Sequence, residues 1–225
     1  MSGPNTRAPN GAPQQLVQVA ELMSAFPSDW YLCGGWAVDA WLGRITRDHG
    51  DLDITVFEDA GTALRKHLSG WQLVAHDQGV DGGGSSEEWD GRPLTLPAHL
   101  HCRAPENRGS IPEDGILMSD QGWWLEIVIN AREHGEWVLY DDPRVTIPLD
   151  ACSAQSGSGL PAALPEVLLF FKATAYKGTR HYLRPRDHVD FERLLPRLNS
   201  KQRAWLIESI ARVEADHPWL GVLAS

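Results

Sequence analysis

The fold is decided by one stretch: Leu32-Cys33-Gly34-Gly35-Trp36-Ala37-Val38-Asp39-Ala40-Trp41-Leu42-Gly43-Arg44-Ile45-Thr46-Arg47-Asp48-His49-Gly50-Asp51-Leu52-Asp53-Ile54-Thr55-Val56-Phe57. An apolar run from Trp30 to Cys33 halts at two glycines, and the amphipathic segment that follows is closed by Gly43. A polar loop then leads into a second apolar run that carries Asp51 and Asp53. Short apolar runs bounded by glycine read as strands and the segment between them as a helix, so the order is strand, glycine turn, helix, loop, strand.

The spacing within this stretch carries chemistry. Residues two apart on a strand point to the same face, which sets the Asp51 and Asp53 carboxylates side by side while Leu52, Ile54 and Val56 face the core. Two carboxylates so close repel unless a cation lies between them. Oxygen ligands of this kind suit magnesium, which takes one or two carboxylates and completes its octahedron with water and substrate phosphates. Gly34 and Gly35 lack Cβ atoms and so let a ligand approach the backbone, and their N–H groups open a helix whose positive end favours phosphate. Taken singly, a Gly-Gly pair is a turn and an Asp-x-Asp is a solvated strand edge. Here the first closes one apolar run and the second sits in the next. A phosphate cradle facing a carboxylate pair is the arrangement of phosphoryl or nucleotidyl transfer.

Upstream, the polar Pro/Asn/Gly-rich leader from Met1 to Gln15 lacks the apolar core of a signal peptide. Leu16, Val17, Val19, Ala20, Met23 and Phe26 then share one broad helical face, predicting a helix that ends at Pro27. Downstream, a helix is expected over about Ala60 to Leu68 and a strand around Trp71 to His76. Asp77 to Glu88, with Gly82-Gly83-Gly84-Ser85-Ser86, has the composition of a flexible loop. Strands are expected at Arg92 to Leu96 and His99 to Arg103, followed by an irregular segment to Gln121.

The run Trp123-Trp124-Leu125-Glu126-Ile127-Val128-Ile129 is strand-like by its aromatic and β-branched content, and Glu126 is its single charge. A carboxylate in a buried strand is costly unless paired or metal-bound. The simplest reading of these residues alone is an edge strand with Glu126 facing water. Trp137 to Tyr140 and Arg144 to Ile147 read as a hairpin around Asp141-Asp142-Pro143.

The Ser/Gly-rich segment from Cys152 to Pro161 has the composition of a linker. It divides the chain into expected domains over residues 12–150 and 160–225. Helices are predicted in the second at Pro165 to Lys177, Pro185 to Leu195 and Ser200 to Val213, with both prolines in first turns and Ser200 as a cap. Lys172 falls among Leu168, Leu169, Phe171 and Ala175. A lone lysine in that setting is ordinarily a solvated charge on a snorkelling stem.

Composition excludes several classes. A hydrophobic share of 42% over 225 residues supports a sizeable core. Twenty basic against thirty acidic residues give a net charge of −10, which disfavours a nucleic-acid partner because phosphate-backbone binders need a basic face. Cys33, Cys102 and Cys152 are odd in number and widely spaced, indicating neither a disulfide framework nor a zinc site. No apolar run approaches the ~20 residues of a membrane span, so a cytoplasmic protein is expected.

Gly34-Gly35, a spacer and Asp51-x-Asp53 resemble the signature of the DNA polymerase beta-type nucleotidyltransferase superfamily. Gly-Gly-Trp-Ala-Val-Asp, Gly43-Arg44-Ile45-Thr46-Arg47 and His49-Gly50-Asp51-Leu52-Asp53 narrow the resemblance to aminoglycoside 2''-adenylyltransferases and lincosamide nucleotidyltransferases. It resumes at Leu164-Pro165-Glu166-Val167-Leu168-Leu169-Phe170-Phe171-Lys172-Ala173, and from Arg184-Pro185-Arg186-Asp187 to Asp190-Phe191. The resemblance implies an α+β fold: a mixed β-sheet nucleotidyltransferase domain with flanking helices, then a smaller helical domain that closes the cleft. It also implies that Glu126, where relatives usually carry Asp, is the third site carboxylate. Glu126 would then join Asp51 and Asp53 as a metal ligand or take the proton from the acceptor hydroxyl.

The expected reaction is magnesium-dependent transfer of AMP from ATP, with two ions bridging the phosphates, to a hydroxyl of a small antibiotic-like molecule. Gly34 and Gly35 are the expected phosphate-chain contacts, and Lys172, Arg44 and Arg47 the candidates to neutralise the leaving pyrophosphate. His49 reads as a structural hydrogen bonder in its loop. Asp187, Asp190 and Glu192 read either as helix-terminus and solvent-facing charges or as the lining of an acidic cleft. The second reading puts a cationic aminoglycoside-like acceptor ahead of a lincosamide-like one. Two alternatives stand beside this one: a toxin-like nucleotidyltransferase modifying a protein or RNA, and a non-catalytic nucleotide-binding module.

Overall fold

The computed structural model describes residues 12–77, 86–111, 122–174 and 183–225. The chain opens with α1 (Gln14–Met23), whose Leu16, Val19, Ala20 and Met23 are buried on the face that the apolar spacing predicts. Strand β1 (Trp30–Leu32) then runs into α2 (Gly34–Leu42), which Gly43 closes in the left-handed conformation. Strand β2 (Leu52–Phe57) follows, then α3 (Gly61–His67), β3 (Gln72–Asp77), β4 (Ser86–Glu88), β5 (Ala98–Arg103) and β6 (Leu125–Glu133). Beyond these lie β7 (Glu136–Leu139), β8 (Asp142–Pro148), β9 (Ser153–Gln155) and β10 (Pro161–Ala163). The last part is helical, with α4 (Pro165–Thr174), α5 (Pro185–Leu194), α6 (Ser200–Val213) and α7 (Trp219–Leu223).

The strands form one mixed sheet in the order β4-β3-β5-β6-β2-β1-β10-β9, with β7 and β8 extending from β6 as a hairpin. Strand β2 lies between β1, antiparallel to it, and β6, parallel to it. Strand β6 is thus interior, flanked by β5 and β2, which removes the edge-strand reading of Glu126. Leu52, Ile54, Leu125 and Ile127 are fully buried on one face of the two central strands, so alternation delivers Asp53 and Glu126 to the other.

Three expectations fail for local reasons. The segment from Cys152 to Pro161 is a hairpin, not a linker: β9 pairs antiparallel with β10, which pairs parallel with β1, and the Ser156 hydroxyl closes the turn on the Leu160 carbonyl at 2.9 Å. Its serine and glycine content belongs to a turn, and the sheet continues to Ala163. Arg92 to Leu96 forms no strand. The Arg92 N–H donates to the Asp90 side chain at 2.9 Å, and Pro93 has no N–H to give to a ladder. Asn199, not Ser200, caps α6: its side chain accepts from Gln202 N while Gln202 Oε1 accepts from Asn199 N, both at 3.0 Å.

Helix α7 was not foreseen. The Gly82-Gly83-Gly84 stretch, most of the leader, the end of the expected helix at Lys177 and much of the irregular segment before Gln121 lie outside the described residues. The end of the expected loop, Ser86 to Glu88, is strand β4. The helical part is anchored by side chains that cross between elements. Trp205 Nε1 donates to the Thr146 carbonyl of β8 at 2.8 Å, and Gln202 Nε2 to Glu166 of α4 at 2.8 Å. Helix α4 packs against α2 as well as α5 and α6, which brings Lys172 toward the glycine turn.

Candidate active site

The parallel register of β2 and β6 sets Asp53 directly opposite Glu126, and Asp51 stands one residue before β2. Carboxylate oxygens of the three lie within 4.8 Å of one another. The first glycine of the turn makes this convergence possible: a Cβ on Gly34 would lie 1.8 Å from Asp53 Oδ2, and its φ of +61° is itself a glycine conformation. The Cys33 N–H donates to the Asp53 carbonyl at 2.9 Å and holds the start of α2 against β2. Gly34 and Gly35 therefore leave room for protein side chains. A Cβ on Gly35 would lie 2.5 Å from both Arg47 Nη2 and His49 Nδ1.

His49 takes the structural place expected of it. Its Nε2 is 2.6 Å from Asp39 Oδ2, and the Thr46 amide donates to the same carboxylate at 3.1 Å, so the loop before β2 is tied to α2. With that loop fixed, Arg47, Asp51, Asp53 and both glycines face a cavity of about 590 Å³ between the sheet and α4. Glu126, Lys172, Arg184 and Arg186 line the same cavity. Arg44 does not: it lines a separate cavity with α1, Gly157 and Ser158.

Asp53 is pushed up to about 8 by burial first, and then by the neighbouring charges of Glu126 and Asp51. Burial also works to raise Glu126, yet it is held below the usual range by the hydrogen bond from His99 and by the charges of His99, His101 and His76. The two strands thus hold one carboxylate readily ionised and one that resists ionisation, and a cation would relieve the repulsion between them.

The histidines were missed in the sequence. His99 and His101 project from β5 on the same face as Glu126, with His99 Nδ1 2.6 Å from Oε1 and His101 Nε2 3.9 Å from Oε2. The His76 ring on β3 stands edge-on to both. Burial lowers His101 and, joined by repulsion from His101 and His99, takes His76 down to about 4. The pattern His99-Leu100-His101 was the available signal, a strand pair at two-residue spacing. What it lacked was the pairing of β3, β5 and β6.

The opposite wall corrects the acidic-cleft reading. Asp187 and Asp190 are each 1% exposed and bound by cations. Lys172 Nζ lies 3.1 Å from Asp187 Oδ1 and 2.8 Å from Asp190 Oδ2, and Arg184 Nε donates to Asp187 at 2.5 Å. Arg47 approaches Asp190 at 3.8 Å. Burial would raise Asp187, but its bonds and charges from Arg184 and Lys172 hold it low. Lys172 itself is 8% exposed, so it is neither solvated nor snorkelling. Of the three acidic residues, Glu192 alone faces water, near His188. Four cationic and four acidic side chains line the cavity, so its lining is not acidic on balance.

Residues 15–78 match the model of the aminoglycoside-2''-adenylyltransferase family. The 2''-aminoglycoside nucleotidyltransferases of Escherichia coli and Klebsiella pneumoniae are each 34% identical over 92 residues, 39% of this chain. The chain spans about half, 52%, of the length of these relatives. Among solved structures, the crystal structure of ANT(2'')-Ia in complex with adenylyl-2''-tobramycin superposes with a TM-score of 0.53 at 16% identity. That match covers 89% of this chain and 99% of the other. Lincomycin-bound LnuA, a lincosamide antibiotic adenylyltransferase, gives 0.51 at 17% identity, covering 83% and 98%. The segment that carries the glycine pair and both aspartates is therefore similar to the aminoglycoside-2''-adenylyltransferases, and the chain has the mixed-sheet fold of ANT(2'')-Ia and LnuA.

Proposed function

We propose that the protein is a nucleotidyltransferase that transfers a nucleoside monophosphate, AMP from ATP, to a hydroxyl of a small aminoglycoside-like antibiotic. The observation that carries this reading is the convergence of Asp51, Asp53 and Glu126 on the open N-terminus of α2 within one cavity. The similarity of residues 15–78 to aminoglycoside 2''-adenylyltransferases supports the choice of acceptor class. A division into a sheet domain and a helical domain, with the cleft between them, belongs to the same proposal.

The residues fit magnesium. Three carboxylates within 4.8 Å, one pushed up to about 8 by burial and by the charges of the other two, form a hard-oxygen site whose close approach depends on Gly34 having no side chain. Asp51, Asp53 and Glu126 would hold the cation, which when bound supplies charge to the phosphates and polarises the phosphoryl oxygens. The first amides of α2, at Gly34 and Gly35, lack partners within the helix and would bind the phosphate chain. Arg47, Arg184 and Arg186 line the side where pyrophosphate would leave, with Lys172 behind them as the charge that fixes their carboxylate neighbours. Glu126, kept ionised by His99, would accept the acceptor's proton.

The test is incubation of purified protein with α-labelled nucleoside triphosphates, magnesium, and a panel holding tobramycin, other aminoglycosides and lincomycin. Magnesium-dependent label on an aminoglycoside, from ATP in preference to other nucleotides, is expected. Label on the protein itself or on added protein or RNA, with none on the panel, would overturn the acceptor; nucleotide binding without transfer to anything would overturn the enzyme.

A further inference from the structure

We propose that His99, His101 and Glu126 form a second cation seat beside the carboxylate cluster, selective for a borderline divalent ion of the zinc type over magnesium. The seat is built by the sheet. Two-residue spacing on β5 turns both imidazoles to one face, and the antiparallel register with β6 sets His101 opposite Glu126. One ligand atom from each of the three lies within 4.8 Å of the others, and the His99 and His101 ring centroids are 5.4 Å apart. Both histidines line the cavity, and their side chains are 44% and 19% exposed, which leaves an entry path and an open coordination position.

Donor chemistry decides the ion. Two imidazoles and a carboxylate with one open position are a zinc set, with metal–nitrogen bonds of about 2.0–2.1 Å, whereas magnesium prefers oxygen throughout. In the loaded seat His99 is the neutral ring with its one proton on Nε2, so Nδ1, freed of the proton it shares with Glu126, and the Glu126 oxygen both turn to the cation. The His76 ring, edge-on to both imidazoles at 4.7 and 5.4 Å, limits their rotation. Glu126 is common to this seat and to the Asp51–Asp53 cluster, so the two cations compete for one carboxylate. The seat rests on side-chain placement alone and does not depend on the proposed transfer reaction.

Equilibrium dialysis of the purified full chain against Zn²⁺, and visible absorption of the Co²⁺-loaded chain, test it. One tightly held equivalent, with Co²⁺ d–d bands, is expected for the wild type and for Asp51→Asn. His99→Ala and His101→Ala should each weaken binding at least about tenfold, the loss that outer-shell partners alone can cause. His99→Cys, shown by circular dichroism to be folded so that Cys33, Cys102 and Cys152 stay buried, should keep zinc and add a thiolate-to-cobalt charge-transfer band that the wild type lacks. Binding indifferent to both histidines, binding lost equally in Asp51→Asn, or no thiolate band in a folded His99→Cys would overturn the seat. The readout is the metal, so this proposal and the transfer reaction can fail separately.

Discussion

On the sheet side of the cavity, Asp51, Asp53 and Glu126 converge, and burial first, then repulsion from Glu126 and Asp51, pushes Asp53 up to about 8. On the helix side, Asp187 and Asp190 are also buried, yet Lys172 and Arg184 bind them at 2.5 to 3.1 Å and Asp187 is held low. Burial acts on both Asp53 and Asp187; what differs between these two is whether the chain bonds a cation directly to the carboxylate. A buried charge satisfied internally is framework, because its partners are already spent. A charge cluster that the fold creates and leaves in repulsion is poised for something from outside. This distinction also explains why the acidic excess of the whole chain says little about the cleft: two of the carboxylates nearest to it are cancelled within the fold.

The sharpest way to break the comparison is to neutralise one carboxylate on the repelling side. Asp53→Asn should lower kcat by roughly a thousandfold or more, because charge stabilisation at a metal site is worth several kcal/mol in the transition state. Circular dichroism should be unchanged, since the amide fits beside Gly34 and relieves repulsion. Steady-state rates on whichever acceptor the panel identifies provide the check, and retention of more than about a tenth of the activity would sink the metal assignment.

On the satisfied side the same logic predicts a loss of stability first. Lys172→Met keeps the stem's volume but leaves, among the described residues, Arg184 beside Asp187 and the distant Arg47 and Arg193 beside Asp190. Removing one member of a buried ion pair typically costs about 3–5 kcal/mol, and the remaining arginines should keep the loss near the lower figure. Urea unfolding measures it, and adding Asp190→Asn to Lys172→Met should recover part of the loss. A change of under about 1 kcal/mol, with a raised nucleotide KM, would return Lys172 to direct triphosphate contact.

How much of this was readable in advance follows from the range of each signal. Gly34-Gly35, Asp51 and Asp53 fall within one short stretch, where strand alternation and glycine geometry act locally, and the sequence reads them together. Glu126 was noticeable as a lone charge in an apolar run, but its direction depends on β6 lying between β5 and β2. His99 and His101 gain meaning only through that same register. Lys172 read as a solvated charge by composition and as a pyrophosphate contact by resemblance, and its ion pairs were hidden because Asp187 and Asp190 lie on another helix. Strands β9 and β10 were hidden for a different reason: three-residue strands around a Ser/Gly turn have the composition of a linker until a neighbouring strand claims them.

The smallest expected effect sharpens the contrast without touching catalysis, by titrating the cluster in metal-free protein. An Asp53 carboxyl at about 8 when folded and at the ordinary 3.8 when unfolded binds more protons folded than unfolded between those values. Its stabilising contribution is therefore complete below pH about 4 and is lost as pH rises through 8. His76 and His101, lowered by burial, act with the opposite sign up to about pH 6.5, and Glu126 and Asp187 titrate below the carboxylate range, so the raw melting curve mixes several groups. The difference between wild type and Asp53→Asn removes most of that mixture. In chelator, Tm of the variant minus Tm of wild type should grow from pH 6.5 to 8.5 by a few degrees, since about 1 kcal/mol moves Tm by ~2–4 °C in a chain of this size. Millimolar magnesium should shrink that difference, because the cation then does for Asp53 what the proton did at lower pH. Asp187→Asn, made on the satisfied wall, should show no such growth with pH and no response to magnesium. A pH-independent difference, or a magnesium response equal in both variants, would mean that Asp53 is neutralised within the fold like its counterparts on α5, and the contrast between the two walls would be lost.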